Sequence, residues 1–468
     1  MSTFSSSAHH SAVVRWACFL LAITSVAYAV PGHVSVDSSI QLYEAGIGRA
    51  VSWAPPFMSA LLRWLGGGTT GSSLFVALVA VMTYCGLYAS FRSGSMEPSP
   101  GERARVRVIR SVAAVLLVAN PVIWLYSGIV WKDVLLAAFV AASVGCFFVG
   151  SAGRGTGAKV ALVASLFLLL PLPMVRQQGI FLLPLLAIPP IFLLAWRGRR
   201  WSSLVRALFL TVVLVASYQV LKLSVHSTIA ASQGQDISVG LRSVMIYDLA
   251  GIEHYAARGP LASSGADSAI TDEVKKIYDG DRIDSLSANP VIAGYFNSLD
   301  SEKIEKMWQL AVREHPGAYL RHRANVAAWT FTLNGVRKCL PIHVGVAGIP
   351  EYLAAVRITA EQDSRDDWLY RHALEIFGTP WFRHWVYASA LVALGIGVGF
   401  RAKSWSGKER ALILVYVGAG LAFYASFFPT SIACDFRYLY TGVVLVTSLL
   451  LALVSGWRLR DPVVTDTA

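Results

Sequence analysis

A small set of ionisable and amide side chains stands beside long apolar runs of this sequence, where charge is costly. Its members are Asp37, Lys132, Asp133, Arg176, Gln177, Asp435 and Arg437. An ionisable group at the boundary of a hydrocarbon layer must be paired or hydrated, which makes such groups candidates for function. A carboxylate beside several cations suits group transfer, because the carboxylate accepts a proton while the cations bind an anionic leaving group.

Asp37 differs from the other members because it follows the first apolar run within the small and polar residues 34–39. We expect it to act as a general base that removes a proton from an acceptor hydroxyl. The alternative is that its side-chain oxygen caps a helix predicted over 40–53.

The cations have structural alternatives of their own. Arg176 and Arg437 would then only extend toward lipid headgroups at the membrane surface. Lys132 and Asp133, which are adjacent, would form a local ion pair at the interface.

The elements that position these residues must lie in a membrane. The chain has 468 residues, of which 55% are hydrophobic and 15% charged, a balance unsuited to a water-soluble surface. Ten apolar runs are long enough to cross about 30 Å of hydrocarbon, namely 13–30, 73–91, 108–126, 129–149, 159–175, 178–196, 204–223, 381–400, 411–428 and 438–456. We therefore predict an all-α polytopic membrane protein with about ten transmembrane helices.

The basic residues predict the orientation of these helices. The net charge is +12, and the Lys and Arg clusters share one side with the N-terminus, at 92–107, 154–159, 197–206, 401–410 and 458–460. Because such clusters stay cytoplasmic, we predict a protein of the cytoplasmic (inner) membrane with both termini inside. The basic residues serve to orient spans, so we expect no nucleic-acid binding. The first run is predicted to remain as an uncleaved span.

This orientation divides the chain into three parts: a transmembrane core 1–223 with a first outer loop 31–72, an extracytoplasmic soluble domain 224–380, and C-terminal helices with a short cytoplasmic tail, 381–468. In the soluble domain, which we expect to be mainly helical, a helix is predicted over 301–314 with Ser301 as its N-cap. In the first loop, an interfacial helix over 40–53 is followed by Pro55 and Pro56. Cys339 and Cys434 both fall on the outer side, where they could form a disulfide.

Several short motifs occur in an order that resembles a known family. They are Asp37 with Tyr43-Glu44-Ala45-Gly46 and Pro55-Pro56, then Gly128-Ile129-Val130-Trp131-Lys132-Asp133, Arg176-Gln177-Gln178-Gly179, His315-Pro316-Gly317-Ala318-Tyr319-Leu320 and Asp435-Phe436-Arg437-Tyr438. This order, with all motifs on one side of the membrane, resembles the bacterial glycosyltransferases of the GT-C superfamily. Within it, the similarity is to relatives of the protein mannosyltransferases and the lipid A aminoarabinose transferases, and it covers most of the membrane part.

The resemblance implies an inverting transfer of a sugar from a polyprenyl-phosphate carrier to an envelope glycan, lipid or protein. Asp37 would be the base, and Lys132, Arg176 and Arg437 would contact the lipid phosphate. Asp133 and Asp435 would orient those cations or contact the acceptor, and Gln177 would join the substrate contacts. Many relatives carry a pair of acids where this chain has Asp37-Ser38-Ser39. Because a single carboxylate is a poor site for magnesium or manganese, we expect no metal and no cofactor.

Two other functions stay open at this point. An envelope polysaccharide polymerase or ligase also has many spans and a large outer loop, and would depend on outer-loop Arg and His residues. A secondary transporter would bury ionisable groups near the membrane midplane and often shows repeated halves. In this sequence the charges lie at span ends.

Overall fold

The computed structural model describes residues 3–52, 54–94, 104–196, 200–231, 238–401 and 405–459. Within these ranges the chain is helical, and extended segments pair only through isolated β-bridges. The first half contains α1 (Thr3–Ala29), α2 (Val36–Ile47), α3 (Phe57–Trp64), α4 (Gly68–Arg92), α5 (Ala104–Val118), α6 (Pro121–Tyr126), α7 (Lys132–Ala152), α8 (Gly155–Phe167), α9 (Leu172–Val175), α10 (Gly179–Ala195) and α11 (Arg200–Thr228).

The second half begins with the helices of the polar stretch after α11 and ends with the last apolar helices. It contains α12 (Ser238–Tyr255), α13 (Pro260–Ser263), α14 (Ser268–Ile277), α15 (Asp284–Ala288), α16 (Pro290–Asn297), α17 (Ser301–Glu314), α18 (Pro316–Thr330), α19 (Pro350–Ala355), α20 (Ser364–Ile376), α21 (His384–Ile396), α22 (Gly407–Thr430) and α23 (Tyr440–Val454). Short 3-10 helices at Pro380–Phe382 and Phe436–Leu439 precede α21 and α23, and a π-helical turn, Gly397–Arg401, follows α21.

Eight segments of the described chain are long and apolar enough to cross a membrane: Ser11–Ala29, Gly68–Arg92, Arg105–Tyr126, Lys132–Ala152, Gly155–Val175, Trp201–Thr228, Gly407–Thr430 and Phe436–Val454. They coincide with eight of the ten apolar runs of the sequence, and the chain is accordingly a multi-pass membrane protein. The other two runs form the shorter apolar helices Gly179–Ala195 and His384–Phe400, whose crossing stays a prediction.

Helix α7 is the central helix of this bundle. Of its apolar window, 78% is buried inside the protein, whereas the corresponding window of α11 is 0% buried. The backbones of α4 and α7 touch at Gly86 and Gly145, where an added Cβ would meet backbone atoms of the facing helix. Small residues allow such close approach in membranes. The first two residues of α7, Lys132 and Asp133, therefore start from a closely packed element.

The first outer loop folds differently from the prediction. A helix over 40–53 is wrong, because α2 starts at Val36 and stops where Gly48 adopts a left-handed φ of 71°. The cause lies in Glu44, whose buried Oε1 accepts hydrogen bonds from the backbone N–H groups of Val51 and Ser52, each at 2.8 Å. These bonds turn the chain back on α2, and α3 then begins after Pro55 and Pro56, as the prolines indicated.

Helices α12 to α18 enclose a second hydrophobic core. A fully buried carboxylate, Asp248, joins three of these helices, since it accepts from Trp308 Nε1 at 2.8 Å and pairs with Arg323 Nε at 2.6 Å. Helix α17 has the predicted bounds, but its N-cap is Asp300 and not Ser301. The Asp300 carboxylate accepts from the Lys303 backbone N–H at 2.6 Å, a role typical of Asp.

Candidate active site

Three extended segments fix the starts of α2 and α7 next to each other. Gly32, at φ 117°, turns the chain after α1. The N–H of His33 then donates to the Gly128 carbonyl at 3.1 Å, and the N–H of Val130 donates to the His33 carbonyl at 3.0 Å. On the other side, the N–H of Val34 donates to the Gly345 carbonyl at 2.9 Å. The loop that leads to Asp37 is thereby joined to the chain that leads to Lys132.

Asp37 lies in the first turn of α2 and is not its cap, since the N-cap position belongs to Ser35. The capping alternative is therefore wrong. Its carboxylate is 49% exposed, and Oδ2 pairs with Arg437 Nη2 at 2.6 Å. Burial raises the pKa of Asp37, but the positive charges of Arg437, Lys132 and Arg176 outweigh it and hold the pKa below its ordinary value. A carboxylate that is half exposed and ionised can contact both solvent and a ligand.

Arg437 links Asp37 to a second carboxylate. Its Nη2 also lies 3.0 Å from Oδ2 of Asp435, whose Oδ1 lies 3.3 Å from Arg282 Nη2. Burial raises the pKa of Asp435 above its ordinary value, although Arg437 and Arg282 act in the opposite direction. Arg437 Nε, by contrast, is buried without a hydrogen-bond partner among the described residues. An anion that binds Arg437 therefore has to replace a carboxylate at Nη2 or expose the buried Nε.

The loop that carries Asp435 and Arg437 is fixed by the outer part of the chain. A disulfide joins Cys339 to Cys434, and the Phe436 N–H donates to the Cys339 carbonyl at 2.8 Å. The N–H of Cys434 donates to the Asp281 carbonyl, and that of Ile283 donates to the Ile432 carbonyl, each at 2.8 Å. A disulfide and backbone pairing together hold the side chain of Arg282 over Asp435.

Arg176 follows α9 and is buried. Its Nη1 forms an ion pair with Asp133, and its Nε donates to Gln178 Oε1 at 2.9 Å. Gln177, which we predicted as a substrate contact, directly precedes Gln178, and its side chain is exposed. Gly179 follows, and an added Cβ there would collide with the Leu172 carbonyl. Burial lowers the pKa of Arg176 to about 10, so its guanidinium stays charged at neutral pH.

Aromatic rings alternate with the two arginines. The Cζ atom of Arg437 lies 4.8 Å from the Trp131 ring centre and 5.6 Å from that of Tyr438. The Cζ atom of Arg176 lies 4.5 Å from the Tyr438 ring centre and 5.2 Å from that of Phe427. Because both arginines contact one ring, their Cζ atoms are no farther apart than the two distances together, about 10 Å. Residues distant in sequence thus meet at one end of the bundle.

The structure therefore brings six of the seven predicted residues into one charged cluster and leaves Gln177 at its exposed side. Sequence reasoning missed Arg282, which lies in a charged turn after α14, and preferred Gln177 to Gln178. Trp131 and Tyr438 lie within the motifs described above, but no functional role was predicted for either. An aromatic residue directly beside Lys132 and another beside Arg437 was the available signal, because aromatic faces commonly hold cations.

The pair between Asp133 and Arg176 yields a first prediction. Asp133 and Arg176 side chains are only 2% and 9% exposed, and removing one member of a buried pair leaves the other charge uncompensated. We expect Asp133→Asn to lower the free energy of unfolding by about 3 kcal/mol, measured as a lower melting temperature in detergent. As a matched control, Gln177→Ala, which changes the exposed neighbour of Arg176, should leave the melting temperature unchanged. A wild-type melting temperature in Asp133→Asn would contradict the importance of the pair.

Comparisons of the chain with protein-family models, with characterised proteins and with solved structures find no match. The fold and the cluster thus define a multi-pass membrane protein with a polar site at one end of its helices. Its function has to be argued from that site alone.

Proposed function

We propose that this protein transfers a sugar from a polyprenyl-phosphate donor to an envelope glycan, lipid or protein at the outer face of the cytoplasmic membrane. The observation that carries the proposal is one half-exposed carboxylate, Asp37, in contact with Arg437 and within the fields of Arg176 and Lys132. Transfer from a lipid phosphate needs a base for the acceptor and cations for the departing phosphate. The cluster contains both.

Two observations support an outer location of the cluster. With the ten predicted spans, the basic clusters of the sequence lie in loops of the opposite parity, where the positive-inside rule keeps them in the cytoplasm. The Cys339–Cys434 disulfide adjoins Asp435, and disulfides persist in oxidising compartments outside the cytoplasm. Charge and cysteine chemistry therefore favour the same orientation.

In the proposed reaction, the donor phosphate first engages Arg176 and Arg437. Arg437 then shares its N–H groups with the phosphate and loosens its pair with Asp37. The acceptor hydroxyl attacks the anomeric carbon while Asp37 takes the hydroxyl proton, and the bond between that carbon and the phosphate oxygen breaks. The electron pair of the broken bond leaves with the polyprenyl phosphate, whose added charge the arginines and Lys132 stabilise.

Sugar transfer by membranes that contain the protein tests this proposal. A panel of undecaprenyl-phosphate hexoses and pentoses, labelled with tritium in the sugar, is incubated with membrane and envelope fractions. We expect one or more members to pass label to envelope material and to release undecaprenyl phosphate only when the protein is present. Label that stays on every donor carrier would reject the proposal.

The orientation makes a separate prediction. In a variant whose free cysteines Cys18, Cys85 and Cys146 are replaced by serine, Ser287→Cys on exposed α15 should react with a membrane-impermeant thiol reagent in intact cells. Thr156→Cys, exposed at the start of α8, should react only after the cells are opened. The reverse pattern would place the Asp37 cluster on the cytoplasmic side, and the proposed transfer at the outer face of the membrane would be rejected.

A further inference from the structure

The ring of Tyr438 contacts both arginines of the cluster, since its centre lies 4.5 Å from Arg176 Cζ and 5.6 Å from Arg437 Cζ. Trp131 contacts Arg437 and Phe427 contacts Arg176 on further faces. The rings of Phe427 and Tyr438 are themselves nearly parallel, 21° apart. These rings and guanidinium groups therefore form one continuous set of contacts, which joins the start of α7 and the ends of α9 and α22 to the start of the last span.

Two like charges in such proximity repel each other, and something must hold them together before any anion arrives. A carboxylate between them would do so, but it would also compete with the anion for the same N–H groups. An aromatic face attracts a cation through the negative charge on its ring and leaves the N–H edge of the guanidinium available. A ring that both guanidinium groups contact thus adds an attraction that occupies none of their N–H groups.

The neighbouring polar contacts agree with this division of roles. Each arginine has a carboxylate partner at its edge: Asp133 for Arg176, and Asp37 with Asp435 for Arg437. Arg437 Nε is nevertheless buried without a partner among the described residues. Arg437 therefore keeps one N–H group that no carboxylate occupies, and a ligand can use it only if the packing around Nε opens.

We infer that Tyr438 is a positioning residue for the lipid phosphate, and that its ring, not its hydroxyl, aligns Arg176 and Arg437 for joint binding of that phosphate. This inference rests on the proposed function, which supplies the phosphate. Tyr438 contacts no reacting atom, so its removal should weaken phosphate binding and leave the base, Asp37, in place.

Binding of undecaprenyl phosphate to the full-length protein in lipid nanodiscs tests the inference. Tyr438→Phe should bind as the wild type does. Tyr438→Leu should bind about 5- to 30-fold more weakly, the range expected for lost contacts between an aromatic face and a partly desolvated cation. The surface control Tyr370→Leu, on exposed α20, should have no effect.

Replacing Tyr438 with phenylalanines of increasing fluorine content separates this role from simple packing. Fluorine withdraws charge from the ring face with little change of shape, so affinity for undecaprenyl phosphate should fall stepwise while the melting temperature stays constant. Equal affinity across the fluorinated series, or a tenfold loss in Tyr438→Phe, would overturn the inference even if Tyr438→Leu fails to fold. Absence of undecaprenyl phosphate binding by the wild type would instead count against the proposed function.

Discussion

The Asp37→Asn variant should lose sugar transfer by about 10²- to 10⁴-fold, the contribution expected of a positioned general base. Asn keeps the size of Asp, and Asp37 does not cap α2, so neither the fold nor membrane insertion should change. The measurement is the rate of transfer of tritiated sugar by purified protein in nanodiscs, with the donor that the panel identifies. The loss should appear in kcat, because the proton is removed only as the new bond forms.

Donor binding gives the same variant a second and opposite signature. Asp37 pairs with Arg437 at 2.6 Å, and it therefore competes with the phosphate for that arginine. Asp37→Asn should bind undecaprenyl phosphate up to about fivefold more tightly, because a partly exposed ion pair is worth about 0.2–1 kcal/mol. Asp279→Asn, which removes an exposed carboxylate paired with Lys338, serves as the control. Full transfer activity in Asp37→Asn would reject Asp37 as the general base. Lost transfer with unchanged affinity for undecaprenyl phosphate would reject only the competition between Asp37 and the phosphate for Arg437.

The second large effect concerns the arginines. A hydrogen bond to a charged group contributes about 1.5–3 kcal/mol, so Arg437→Gln should weaken binding of undecaprenyl phosphate by about 10- to 150-fold. The affinity should be measured in nanodiscs against Lys306→Gln, which removes one charge from an exposed pair with Glu302 on α17. Only the loss of Arg437 should matter.

Arg176 needs a paired design, because its loss alone would leave the buried charge of Asp133 without a partner. The double variant Arg176→Gln with Asp133→Asn keeps the site neutral and should fold, yet bind the lipid phosphate as weakly as Arg437→Gln. Wild-type affinity in both the double variant and Arg437→Gln would show that the phosphate binds elsewhere.

The spans of this protein follow from its sequence because crossing a membrane depends on local apolar length. The start of α3 after Pro55 and Pro56 is equally local, since proline has no backbone N–H and is tolerated at the start of a helix but not in its interior. The helix over 40–53 failed for a non-local reason: Glu44 prefers the backbone N–H groups of Val51 and Ser52, and that preference depends on the packing of α2 against α3.

The composition of the cluster was predictable and its pairing was not. Alternating loop charge predicts that Asp37 and Arg437 lie on one side of the membrane, but only the packing of α7 and α23 decides that they meet. The sequence also allowed a local ion pair between Lys132 and Asp133. That Asp133 pairs with Arg176 depends in the same way on helix packing. Arg282 enters the cluster through a turn after α14 that has no periodicity, and backbone hydrogen bonds from Cys434 to Asp281 and from Ile283 to Ile432 hold that turn beside Asp435.

The proposed function depends above all on the binding of a lipid phosphate by the two arginines beside Asp37. The most direct test is an experimental structure of the protein in nanodiscs with undecaprenyl phosphate bound. We predict the phosphate within hydrogen-bond distance of both Arg176 and Arg437, with the Asp37 carboxylate released from Arg437 and facing the open side of the site. A phosphate bound at the opposite end of the helices would contradict this proposal. So would an Arg437 side chain that stays paired with Asp37 and contacts no phosphate.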